Sequence, residues 1–188
     1  MVRHGRRFAP AGGSLLLVLA LQWLSPAARA DAVQDIEQWL RSGQTEQALA
    51  QADAAIAKDP RAASARFLKG VILSDLGRTD QAIDVFVALT QDFPELPDPY
   101  NNLAVLYAAQ GRLEPALSAL RQALRNDPKH LAARENLGDV HLALAVQAWA
   151  LADTSAGTAD SAGLKRKLRL ARQIMVSPAT ATAQRTPG

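Results

Sequence analysis

Residues 100–128 read YNNLAVLYAAQGRLEPALSALRQALRNDP, and this stretch decides the fold. Tyr100, Leu103, Ala104 and Tyr107 fall at i, i+3, i+4 and i+7, one face of a 3.6-residue helix. Gly111 ends that helix, because glycine accepts the left-handed backbone of a helix C-terminus. Residues 113–126 make a second helix, with Ala116, Leu120 and Ala123 at the close contact. Asp127-Pro128 stops it, since proline has no N–H and disfavours a helical residue before it.

The same unit recurs on both sides. Glycines fall at Gly43, Gly77 and Gly111, prolines at Pro60, Pro94 and Pro128, and alanines at Ala48, Ala82, Ala116 and Ala150. Each step is 34 residues, so three residue types share one period. The spacing predicts helix pairs over 32–42 and 45–58, 65–76 and 79–92, and 100–110 and 113–126. Thr45 and Thr79 are the expected N-caps, each without the Glu that would complete a capping box. Ala48, Ala82 and Ala116 are expected where the helices of a hairpin cross closely, with Phe86 and Leu120 filling the layer between hairpins. No hairpin buries its apolar face alone, so neighbours must stack, and about three repeats are the minimum.

On these residues the chain resembles the tetratricopeptide repeat (TPR) family. The third unit matches at Leu103, Ala104, Tyr107, Gly111, Ala116, Leu120, Ala123 and Pro128, and the second at Gly70, Leu73, Gly77, Ala82, Phe86 and Pro94. The first matches at Trp39, Gly43, Ala48, Ala52, Ala55 and Pro60, with Ile36 where the family often has Gly. A fourth unit begins with Leu137, Gly138 and His141, the last in an aromatic slot that suggests a packed core residue. Ala145 replaces its turn glycine and no breaker follows His130 before Ala152, so one long helix is expected from 131 to about 151. Leu137, Val140, Leu144 and Trp149 would seal the open end of the stack. The resemblance implies an all-α, right-handed α-solenoid: three helical hairpins over 31–153 with this long capping helix. Beyond it come a linker over 154–163, a basic helix over 164–176 with Leu164, Leu168 and Ala171 on one face, and a disordered tail over 177–188.

The N-terminal thirty residues read differently. Arg3, Arg6 and Arg7 precede an apolar run from Ser14 to Leu24. Ser25-Pro26 breaks it, and Ala28-Arg29-Ala30 offers small residues at both recognition positions. Residues 1–30 are therefore expected to be a signal peptide cut near Ala30, delivering the protein to a bacterial-type periplasm or outside the cell. The apolar run is too short to span a bilayer of roughly 30 Å. The chain has no Cys, which excludes a disulfide scaffold, a thiol nucleophile and a lipid-modified N-terminal Cys.

The formal net charge of +3 hides a division. Residues 31–160 hold 11 basic and 18 acidic side chains, whereas 161–188 hold six basic and no acidic ones. The body is acidic and the C-terminal segment basic. Lys165 to Arg172 can touch anionic lipid as an amphipathic basic helix does. Without aromatic neighbours it is a poor nucleic-acid reader. His4, His130 and His141 are too few and too scattered for a metal site, and no Ser/His/Asp arrangement stands out. No catalytic residue and no cofactor is expected.

The family resemblance implies that the first helix of each hairpin lines a concave groove. Its positions here carry Val33, Gln34, Glu37 and Arg41; then Ser64, Phe67, Leu68, Val71 and Asp75; then Asp98, Asn101, Asn102 and Val105; then Glu135, Asn136 and Asp139. One TPR subclass grips terminal carboxylates with Lys and Arg, but Ala132 and Asn136 occupy slots where that subclass has cations. Glu37, Asp75, Asp98, Glu135 and Asp139 make the groove acidic, so a neutral or basic protein segment is the expected ligand. Asn102 and Asn136, one period apart, could bracket a peptide backbone, or instead be ordinary polar positions or bond locally between helices. The expected role is a non-catalytic protein–protein interaction module. The alternatives are an accessory subunit of a cell-envelope enzyme and a membrane-peripheral scaffold.

Overall fold

The computed structural model describes residues 26–155 and 161–176. The expected segments over 1–25, 156–160 and 177–188 lie outside them. Within the described residues there are eight helices and no strand. They are α1 (Pro26–Arg41), α2 (Thr45–Lys58), α3 (Ala63–Asp75), α4 (Thr79–Asp92), α5 (Pro97–Ala109), α6 (Leu113–Asn126), α7 (Leu131–Ser155) and α8 (Ser161–Val176). The fold is an all-α solenoid of the TPR type.

The helix starts differ from the sequence expectation where proline is involved. Pro26 was expected to break helix and instead opens α1, which runs through the anticipated cut after Ala30. Pro97 likewise opens α5 three residues before Tyr100. Proline is compatible with the first helical turn, where its missing N–H would have no partner anyway. At the far end α7 continues to Ser155 and α8 begins at Ser161, so the described ends of the anticipated linker, 154–155 and 161–163, are helical.

The three tight turns share one construction. Gly43, Gly77 and Gly111 have φ of 74°, 71° and 72°. Just after them, the N–H groups of Gln44, Arg78 and Arg112 donate back to Trp39, Leu73 and Tyr107 carbonyls. The carbonyls of the same three residues accept from Ala48, Ala82 and Ala116. One residue thus closes the first helix and caps the second through its backbone alone. This corrects the assignment of Thr45 and Thr79 as N-caps. They are the first residues inside α2 and α4, and the side chains at the capping positions Gln44 and Arg78 make no capping bond.

Each helix packs on the next in chain order. In addition α1, α3, α5 and α7 pack on one another as a row, while α2, α4 and α6 have no comparable mutual packing. The odd row is therefore the tighter side, and the stack curves around it. One apolar core runs from Ile36 to Val140. Ala48, Ala82 and Ala116 are fully buried, as are Phe86 and Leu120.

The packing is size-matched from repeat to repeat. A methyl group at Gly70 would lie 2.6 Å from the Phe86 ring. The same two slots hold Ala104 and Leu120 in the next repeat, and Ile36 and Ala52 in the one before. Where one slot grows, the other shrinks, so the filled volume is held nearly constant. The fourth repeat has no such pair. Its second slot, Thr154, still belongs to α7, and a methyl at Gly138 would meet nothing within 4 Å. His141 follows suit: expected in the core, it is exposed, because no second hairpin helix covers that level of α7. Val140 is buried and Leu137 and Leu144 pack on the core, as expected of an end cap. Trp149 does not join that core; Lys167 of α8 sits 5.7 Å above its ring.

Candidate functional site

The odd row displays every residue expected in the groove, and none of the ten central ones is buried. On α3, Phe67 and Val71 are half-buried and Asp75 is exposed. Phe67 leans on Phe86 with ring centroids 5.7 Å apart, so its inner edge belongs to the core and its outer edge to the surface. On α5, Asn101, Asn102 and Val105 are half-buried and Asp98 is exposed. On α7, Asn136 is half-buried while Glu135 and Asp139 are exposed. The strip therefore has apolar side chains on α3 and α5 between acids carried at the end of α3 and along α7.

Two contacts lock α7 to α5 within this strip. Asn136 Nδ2 donates to Asn101 Oδ1 at 2.8 Å. His130 Nε2 lies 2.9 Å from Asp98 Oδ1, while the Ala133 N–H donates to His130 Nδ1 at 3.1 Å. An accepting Nδ1 carries no proton, so the ring N–H is on Nε2 and donates to the carboxylate. His130 thus caps α7 and ties it to the first turn of α5. Sequence reasoning weighed His130 only as a metal ligand. Its distance of 32 residues from Asp98, two short of the period, was the signal that both stand at the foot of adjacent first helices.

The two asparagines are held differently. Asn136 is engaged between helices. Asn102 Nδ2 donates to the Asp98 carbonyl of its own helix at 2.9 Å, and the residue is half-buried. Glu37 pairs with Arg41 at 3.3 Å on the exposed face of α1. Among the described residues, no ion pair is formed by Asp75, Glu135 or Asp139. Asp75 also stands in the last turn of α3, where the helix dipole is itself negative, so local charge adds rather than cancels.

Other charges hold the stack together instead. Arg78 reaches back one repeat to Glu46 at 2.8 Å, and Gln110 to Asp80 at 3.1 Å. Lys69 joins Asp53 at 2.7 Å, and Asn126 donates to the Pro94 carbonyl at 2.8 Å. Cations of the body are thereby drawn to the hairpin boundaries, and the strip keeps its acids.

No curated protein matches the chain. Among solved structures, the first TPR of Spaghetti (RPAP3), bound to the HSP90 peptide SRMEEVD, aligns with a TM-score of 0.59 at 15% identity, covering 64% of this chain and 96% of that one. The Yersinia enterocolitica type III secretion chaperone SycD, in complex with a peptide of the translocator YopD, gives 0.57 at 17%, covering 63% and 96%. YrrB, a TPR protein with an unusual peptide-binding site, gives 0.53 at 27%, covering 57% of this chain and 55% of its own. Two sequence profiles of the tetratricopeptide repeat match residues 40–97 and 73–133. With its period, its size-matched helix pairs and these matches, the chain belongs to the tetratricopeptide repeat family.

Proposed function

We propose that the protein is a non-catalytic interaction module that takes an extended neutral or basic segment of another protein along the α3–α5–α7 strip. The observation that carries this reading is the pairing of half-buried Phe67, Val71 and Val105 with the exposed acids Asp75, Glu135 and Asp139. An extended chain can lay alternate side chains on the apolar surface and bring cations to the acids. The stacked helices hold these groups in place beforehand, which reduces the ordering cost of capture. Peptide binding by the Spaghetti and SycD domains supports the mode, not the ligand. The HSP90 peptide carries three acids, which this strip would repel. The expected export fits the same reading: a segment removed near Ala30 would leave the acidic body in the periplasm, where N-terminal sequencing of the recovered protein would find Asp31.

A photoreactive residue at Asn102 tests the strip. It is expected to capture a partner in cells, while one at Ser118 on α6 captures none. Capture at Ser118 alone would refute the strip. With a model cationic peptide, Asp75→Asn together with Asp139→Asn should weaken binding by up to about tenfold, as expected for two exposed charge pairs. The loss should shrink as salt rises.

A further inference from the structure

The basic helix α8 is held away from the strip. Leu168 and Ala171 are buried against α7, and Lys167 is drawn over Trp149. Among the described residues none of its cations pairs with an acid of the strip. At 100° per residue, Arg166 points away from the buried seam, and Leu170 and Ile174 follow it at i+4 and i+8 along a stripe that winds round one side of the helix. Leu170 is 50% exposed and Ile174 57%, a large aliphatic exposure for two side chains one turn apart. Arg169 borders this face beside Arg166, Lys165 and Arg172 lie further round, all are exposed, and none of these cations forms an ion pair among the described residues. From residue 161 to the end of the chain there is no acid at all.

We infer that α8 rests the protein on an anionic lipid bilayer, Arg166 and Arg169 meeting headgroup phosphates while Leu170 and Ile174 enter the acyl boundary. Charge selects the occupant. A second copy of α8 would bring cation against cation, so the face is not a dimer seam. A nucleic acid would use the cations but would gain nothing from burying Leu170 and Ile174, and α8 offers no aromatic side chain for stacking. A bilayer interface uses both, since aliphatic chains enter it and cations remain at headgroup level. Among the described residues no helix is long and apolar enough to cross a membrane, so α8 would lie on the surface. With α8 flat on lipid, the acidic body is repelled from the same anionic surface and the α3–α5–α7 strip stays open. The inference concerns a different face from the proposed strip and stands without it.

The absence of Cys allows a site-specific test on the full chain. Gln173→Cys, exposed on the outer face of α8, is labelled with an environment-sensitive dye, and Ser118→Cys serves as the reference. With vesicles of phosphatidylcholine and phosphatidylglycerol at 7:3, the Gln173 label should shift to the blue and the Ser118 label should not. Vesicles of phosphatidylcholine alone should give no shift, and 0.5 M NaCl should reverse the first. Arg166→Gln with Arg169→Gln should weaken vesicle binding about thirtyfold, from about 1 kcal/mol per cation at the surface. Leu170→Asn with Ile174→Asn should abolish the blue shift while leaving helix content unchanged by circular dichroism. Equal response to both vesicle types, an equal shift at Ser118, or no response at all would overturn the inference. So would a shift with a 20-base-pair duplex at concentrations where the anionic vesicles give none.

Discussion

Gly70 and Gly138 stand at the same position two repeats apart, and their surroundings demand opposite things of them. The Phe86 ring, fully buried, lies where a side chain on residue 70 would go. Gly70→Ala should therefore lower stability by about 1–3 kcal/mol through overpacking. Gly138 lies inside α7 with open space beside it, so Gly138→Ala should raise stability by about 0.5–1 kcal/mol by removing the helix cost of glycine. Urea midpoints measure both, and a gain at residue 70 would contradict the packing account. Combining Gly70→Ala with Phe86→Leu installs the pair used by Ala104 and Leu120. That double variant should recover much of the loss, a coupling readable in a double-mutant cycle.

At the scale of the element, α7 differs from the other first helices in length and in how it begins. It has 25 residues against 13 for α5, and its first turn is capped by the His130 ring. Removal of the ring in His130→Ala should cost about 1 kcal/mol, the usual worth of a side-chain cap. His130→Asn should keep most of that cap while losing the contact with Asp98. If the asparagine variant is as unstable as the alanine one, the Asp98 contact rather than the cap is what matters, and α7 is held mainly from α5.

Across the whole molecule the contacts are between neighbours, so stability is a chain of local terms rather than one global sum. The middle helices α3 to α6 each pack on elements to both sides, whereas α8 packs on α7 only. Amide hydrogen exchange should therefore be slowest in α3 to α6 and fastest in α8, with α1 between. Equal protection of all eight helices would mean a single cooperative core and would contradict the solenoid description.

The sequence alone determined the helices, the turns and the repeat, because each rests on local chemistry. A left-handed glycine at Gly43, Gly77 and Gly111, a proline after each pair and a 3.6-residue apolar face act within about 34 residues, and every repeat restates them. The helix starts at Pro26 and Pro97 were not legible, since proline breaks or begins a helix according to the turn it occupies. The contents of the strip were legible as positions but not as bonds. Whether Asn136 faces a ligand or Asn101, and whether His130 is idle or holds Asp98, depends on how one hairpin is rotated on the next. The exposure of His141 and the seat of Trp149 under Lys167 likewise follow from where α8 comes to rest. Such contacts join residues up to 35 apart or across a hairpin end that lacks the repeat motif, and only stacking in three dimensions brings them together.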